Sequence, residues 1–172
     1  MLPQELSRIA DEQRAILESH IKEQPIKLGQ LAKELGVAVK VAVLNGGISG
    51  QITCEDGQYT IRVNRYESRE RQRFTIAHEL AHYLLHKPII DKEPNGIQDN
   101  VLYRSDKPDK IEYEANRLAA HILMPADKVK EVIQGEHGGT FEDDATVESL
   151  AARFKVSKAA MGIRLSGLLT GA

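Results

Sequence analysis

The sequence predicts an α+β fold in which a small antiparallel three-stranded sheet packs on one central helix, followed by a mainly helical C-terminal half. Alternating apolar and polar residues run through 38–64, and helical spacing returns from 110 onward. Between them, 68–87 has a helical pattern that is apolar on most sides over 74–85. A chain of 172 residues allows one sizeable core. We therefore expect a single domain that spans 1–172.

The N-terminal segment, residues 1–37, is predicted to form two helices. Apolar residues recur near helical spacing over 5–23, and Pro25 ends that pattern. Residues 28–35 predict a second, short helix that Gly36 stops. We expect both helices to pack against the core.

The sheet is predicted from residues 38–64, where three strand patterns are separated by turn sequences at 45–47 and 55–57. Consecutive strands joined by short turns predict an antiparallel meander with one face on the core. Cys54 falls on the apolar face, and we interpret it as a small buried residue rather than a reactive thiol.

The central helix, residues 68–87, contains the HExxH motif His78-Glu-Leu-Ala-His82. Residues four apart on a helix share a face, so both imidazoles can reach one metal ion, and two neutral imidazoles suit Zn²⁺. Glu79 lies at the edge of that face, where a carboxylate can take a proton from water. Because the other sides of the helix are apolar, the motif is expected in a buried helix, and a chance match on a surface helix is disfavoured.

The second half of the chain begins with residues 88–109, which contain three prolines and predict a long polar loop. Residues 110–125 predict a helix that ends at a Met-Pro pair. Residues 145–169 predict a C-terminal helical pair.

A catalytic zinc needs a third protein ligand. His86 lies about 12 Å beyond His78 along the helix axis, too far to share its ion, so we expect it at the rim or surface. On the next helix, Glu112 falls within the apolar arc, where a carboxylate needs a partner such as a metal, whereas Glu114 falls outside and is expected to be solvated. Asn116, one turn after Glu112, is expected to hydrogen-bond a ligand.

These motifs resemble those of the ImmA/IrrE family of metallo-endopeptidases. The match consists of the HExxH motif and of Glu112-Tyr-Glu-Ala-Asn116 with its Met-Pro end, and the second stretch is the more specific. The resemblance implies a zincin-like fold with a gluzincin-like HExxH…E site. In that site His78, His82 and Glu112 hold zinc, and Glu79 is the catalytic base.

The resemblance also implies a zinc-dependent endopeptidase that cleaves or antagonises a helix-turn-helix repressor or an antitoxin-like partner, as in toxin–antitoxin-like pairs. An alternative is an interaction or regulatory protein with a mainly structural metal site. Such a protein could bind DNA through the C-terminal helix pair, where Lys155, Lys158 and Arg164 could meet phosphate. A net charge of −2 gives no overall basic field, so we favour a protein partner over nucleic acid.

Composition also predicts where the protein works. A single cysteine cannot form an internal disulfide, and no apolar run approaches the roughly 20 residues of a membrane span. The first residues lack a basic region followed by an apolar stretch, the pattern of a signal peptide. We therefore expect a cytoplasmic location.

Overall fold

The computed structural model of the chain describes residues 4–93, 96–100, 110–137 and 143–170. It has a mixed α+β fold, mostly helical, with one four-stranded sheet. The α-helices of the described residues are α1 (Asp11–His20), α2 (Leu28–Glu34), α3 (Arg69–Ile90), α4 (Lys110–Leu123), α5 (Ala126–His137), α6 (Asp144–Phe154) and α7 (Lys158–Thr170). The strands are β1 (Val37–Ala42), β2 (Ile48–Glu55), β3 (Gln58–Asn64) and β4 (Ile97–Asn100), and a 3-10 turn, Gln4–Arg8, precedes α1.

The sheet differs from the predicted antiparallel three-stranded meander. Its strand order is β1-β3-β2-β4, with β1 parallel to β3 and β2 antiparallel to both β3 and β4. Alternating side chains identify a strand but do not say which strand it pairs with, and the connection over 43–47 is long enough to pass the width of the inserted strand. The fourth strand, β4, lies within the predicted loop 88–109, and its four residues are too few to show an alternating pattern.

Helix α3 begins where the sequence predicts, because the Ser68 side chain accepts a hydrogen bond from the Arg71 backbone N–H at 3.2 Å. It does not end at residue 87. The helix continues through Pro88 to Ile90 with a kink at His86, where φ is −126° and ψ is 22°. Proline lacks a backbone N–H and its ring crowds the preceding turn, so here it bends the helix instead of ending it.

The core lies between the sheet, α3 and the helices that follow. Helix α3 packs against β2, β3 and β4 on one side and against α4 on the other. Ala115 and Ala119 of α4 are fully buried, and their small side chains allow the two helix axes to approach closely. This close contact brings the polar stripe of α3 next to the first turn of α4.

Helices α6 and α7 form the C-terminal pair. Asp143 caps α6, and α6 ends at Lys155 in the left-handed conformation with φ of 53°. The chain then turns directly into α7. Across the described ranges, we find no helix with the length and apolar character needed to cross a membrane.

Candidate metal centre

Three side chains from two helices converge on one point. His78 and His82 come from α3 and Glu112 from the first turn of α4, and one ligand atom from each lies within 4.8 Å of the others. The Nε2 atoms of the two imidazoles are 3.0 Å apart, and each is 3.2 Å from an oxygen of the Glu112 carboxylate. The three residues could therefore hold one metal ion.

The spacing and the donor types fit zinc. Four ligands at about 2.1 Å in a tetrahedron are separated from one another by about 3.4 Å. The observed separations of 3.0 and 3.2 Å are close to that value. Two imidazole nitrogens and one carboxylate oxygen also match the ligand set of catalytic zinc sites.

The protonation states that the fold favours are those that bind metals. Burial alone would raise the pKa of Glu112, but hydrogen bonds from His78 and His82 outweigh it and hold that pKa well below its usual value. Burial lowers the pKa of His82, against the opposing effect of Glu112, so the imidazole stays neutral. The fold thus favours an ionised Glu112 carboxylate and a neutral His82 ring.

Glu79 is fully buried beside this cluster, under strand β2. A Cβ atom added at Gly50 of β2 would lie 3.4 Å from Glu79 Oε1 and only 2.1 Å from Cγ2 of Thr75. A glycine at this position therefore lets β2 pack directly over the part of α3 that carries Glu79.

His78 is oriented by Asn116 of α4. Asn116 Oδ1 lies 3.1 Å from Nδ1 of His78, and since Nε2 faces the cluster, Nδ1–H is the donor of this hydrogen bond. Phe74 stacks on the same imidazole with ring centroids 6.3 Å apart. The contacts thus fix both the tautomer and the plane of the ring.

His82 is held from the opposite side by residues that the sequence interpretation placed elsewhere. Its Nδ1 lies 3.0 Å from Nδ1 of His86, and His86 Nε2 lies 3.0 Å from Glu114 Oε2. The same Glu114 oxygen is 2.7 Å from Nη1 of Arg8. The expectation of a solvated Glu114 is wrong, because this residue is only 7% exposed. His86, expected at the rim or surface, lies beside the site but is buried, with 4% exposed.

The physical reason is that a helical wheel describes one helix and not what covers it. The N-terminal turn lies over the side of α4 that the wheel leaves outside the apolar arc. One signal was available in the sequence: His86 continues the polar stripe of an otherwise apolar helix, one turn after His82. In a buried helix such a side chain needs a buried partner.

Two other polar residues on α4 have distinct surroundings. Arg117 forms an ion pair with Glu5 at 3.6 Å. His121 is only 3% exposed, and neither ring nitrogen has a hydrogen-bond partner among the described residues. Burial, helped by the charge of Arg164, lowers the pKa of His121 to about 4.

Comparison with known proteins gives three findings. Residues 32–166 match the model of the peptidase M78 family, described as the IrrE N-terminal-like domain. Metallopeptidase ImmA of Bacillus subtilis (strain 168) is 31% identical over 104 residues, which cover 59% of this chain and 57% of that protein. A Mycobacterium tuberculosis transcriptional regulator has a similar fold, with a TM-score of 0.57 at 17% identity over 94% of this chain and 48% of that one. This chain therefore spans about half the length of these relatives.

Proposed function

Since the chain belongs to the peptidase M78 family of IrrE N-terminal-like domains, we propose that it is a zinc-dependent endopeptidase with a gluzincin-like HExxH…E site. The single observation that carries the proposal is the meeting of His78, His82 and Glu112 at one point. The family match agrees with the ImmA/IrrE resemblance of the motifs, and the ImmA relative is itself named a metallopeptidase.

In the proposed site, His78, His82 and Glu112 hold zinc, and Asn116 keeps the His78 ring in place. When bound, zinc would act as a Lewis acid that lowers the pKa of water and polarises a carbonyl group. Glu79 accepts the proton of the attacking water and returns it to the leaving amine. Its burial under β2 keeps bulk water away from that proton transfer.

The substrate is proposed to be a protein segment that binds in an extended conformation. Strand β4 lies at the edge of the sheet and pairs on one side only, with β2, among the described residues. An extended peptide can add to such an edge through backbone hydrogen bonds. Strand β4 also contacts α3, the helix that carries the HExxH motif.

The proposed partner is a helix-turn-helix repressor or an antitoxin-like protein in the cytoplasm. This part of the proposal is supported by the ImmA/IrrE motifs. It also agrees with a chain that has one cysteine and therefore no internal disulfide. A repressor-like protein encoded next to this chain is the first candidate to test.

The experiment compares wild type with Glu79→Gln. We expect the variant to keep one zinc per chain, because Glu79 is not a proposed ligand, and to cleave the candidate repressor about 10²- to 10⁴-fold more slowly. Zinc content by mass spectrometry and cleavage by gel give both quantities. Glu136→Gln, which changes an exposed glutamate paired with Arg153, is the matched control and is expected to behave as wild type. A Glu79→Gln protein that holds zinc and cleaves at the wild-type rate would remove Glu79 from the mechanism.

The alternative of DNA binding by the C-terminal helix pair is not favoured by its contacts. Lys158 is paired with Asp144, and the Arg164 guanidinium donates a hydrogen bond to the Met124 carbonyl at 2.9 Å. Both cations are therefore engaged within the protein. The other alternative, a metal site that mainly holds the fold, makes a different prediction for metal removal, which is argued in the Discussion.

A further inference from the structure

We propose that the N-terminal 3-10 turn holds His82 in its metal-binding orientation, through a buried hydrogen-bond chain that runs from His82 to His86, Glu114 and Arg8. This inference rests on the proposed metal site and assigns positioning roles to three residues outside it. The family match begins at residue 32, so the turn that carries Arg8 lies outside the part shared with the family.

The first step is the direction of the hydrogen bonds. Nε2 of His82 faces Glu112 at 3.2 Å, so in the metal-binding form its ring proton is on Nδ1. Among the described residues, its hydrogen-bond contact is Nδ1 of His86, 3.0 Å away, which therefore accepts and carries its own proton on Nε2. His86 Nε2–H then donates to Glu114. Each tautomer is fixed by the next member of the chain.

The second step is burial. The exposed fractions of His82, His86 and Glu114 are 0%, 4% and 7%, so water cannot readily replace a lost partner. Without an acceptor on His86, the Nδ1–H of His82 would be buried and unpaired. Rotation of the ring, or a shift of its proton to Nε2, would then lower the free energy of the site. Either change removes a metal ligand.

Third, the hydrogen-bond chain ends at an ion pair between Glu114 and Arg8. Glu114 carries a negative charge inside the protein, and its Oε2 also accepts a hydrogen bond from Arg8 Nη1 at 2.7 Å. The side chain of Arg8 is 47% exposed, so this pair links the buried chain to the surface. The guanidinium thus fixes the position of the Glu114 oxygen that accepts from His86.

The fourth step is that the turn itself is fixed. Leu6 and Ile9, on either side of Arg8, are buried in the core. Glu5 is also buried and pairs with Arg117 of α4 at 3.6 Å. The turn is therefore held on α4 by packing and by a second ion pair, and it can act as a rigid support for Arg8.

The experiment measures the dissociation constant of zinc by competition with a chromogenic chelator, and the visible spectrum of the cobalt-substituted protein, which reports ligand geometry. We expect His86→Phe and Glu114→Ala to weaken zinc binding about 10- to 100-fold and to alter the cobalt spectrum. Glu114→Gln is expected to restore most of the affinity, because its amide oxygen can accept from both His86 and Arg8. Arg8→Ala is expected to weaken binding by a smaller factor, about threefold to tenfold, because the pair is half exposed.

Matched controls are available on α1 and α2. Glu34 forms an ion pair with His20, with 3.1 Å between the paired atoms, and Arg14 forms one with Asp11 at 2.7 Å. Neither pair includes a residue of the proposed metal site. Glu34→Ala and Arg14→Ala remove the same kinds of side chain and are expected to leave zinc affinity and the cobalt spectrum unchanged. They separate a positioning effect from a general loss of an ion pair.

The outcomes distinguish this inference from the proposed function. If wild type binds zinc and His82→Ala does not, but Glu114→Ala and His86→Phe bind as wild type does, the positioning chain is refuted and the metal site remains. If the wild-type protein itself binds no zinc, both the proposed metal site and the positioning role are refuted. Arg8→Ala changes only a half-exposed side chain. It tests the same hydrogen-bond chain if His86→Phe and Glu114→Ala do not fold. Wild-type zinc affinity in that variant would overturn the role of the turn.

Discussion

At the scale of single residues, the second ring nitrogen of each histidine on α3 decides what that histidine can do. His78 uses it to donate to Asn116, and His82 uses it to donate to His86. In the proposed metal-bound form, both rings therefore direct the lone pair of Nε2 to the point where the two rings and Glu112 converge. A buried imidazole without such a partner, as His121 is among the described residues, cannot be oriented in this way.

His121 is expected to make the folded protein less stable as the pH falls. In the fold its pKa is lowered from the usual 6.5 to about 4, first by burial and then by the charge of Arg164, against the opposing charge of Asp127. Below about pH 6.5 the unfolded chain binds a proton that the folded chain does not, so stability is lost as the pH falls from 6.5 towards 4. At pH 5 this amounts to about 2 kcal/mol.

We therefore predict that His121→Leu loses less stability than wild type between pH 7.5 and pH 5. Urea unfolding at both pH values gives the two free energies, and the difference between the proteins cancels titrations that they share. His20→Leu controls for the loss of a histidine elsewhere. Equal pH dependence in wild type and His121→Leu would show that the His121 ring is protonated in the fold as easily as in the unfolded chain.

At the scale of elements, the sequence predicts which segments are helical and which faces are apolar, but not which elements pack against one another. The apolar surroundings of the HExxH motif place α3 in the core, and the apolar arc of α4 directs Glu112, rather than Glu114, at His78 and His82. Pairing between strands is a different problem, since β1 joins β3 in parallel through residues distant in sequence. The N-terminal turn over Glu114 is also a long-range contact, so no local pattern could place it.

The contact between β2 and α3 is expected to require glycine at position 50. In Gly50→Ala the added Cβ would lie 2.1 Å from Thr75 Cγ2, and Thr75 is fully buried. We predict a loss of about 1–3 kcal/mol in the free energy of unfolding, measured in urea, because one of the two elements must move.

A second substitution makes this prediction specific. Thr75→Ser removes Cγ2, so the double variant Gly50→Ala/Thr75→Ser is expected to be more stable than the sum of the single effects predicts. Gly29→Ala is the matched control, because an added Cβ at that α2 position meets no atom within 4 Å and alanine favours a helix. Strict additivity of the two changes would place the strain of Gly50→Ala somewhere other than Thr75.

At the scale of the whole molecule, the proposed metal site lies against a large apolar core. Helices α3 and α4 are already joined by fully buried side chains, among them Leu80, Leu118 and Ile122. We therefore expect the apolar core, rather than the metal, to supply most of the stability of the fold.

Removal of the metal is therefore expected to lower stability without unfolding the chain. Free zinc at 100 times its dissociation constant stabilises a protein by about 2.7 kcal/mol, which for a chain of this size corresponds to a Tm shift of roughly 5–10 °C. We predict that excess chelator lowers Tm by about this amount, while the far-ultraviolet circular dichroism at 25 °C is unchanged. Glu112→Ala, which lacks a proposed ligand, should show little response to zinc or chelator at the same concentrations. Loss of the dichroism signal on chelation would instead favour a site that mainly holds the fold, because only a metal that is required for folding leaves a disordered chain behind.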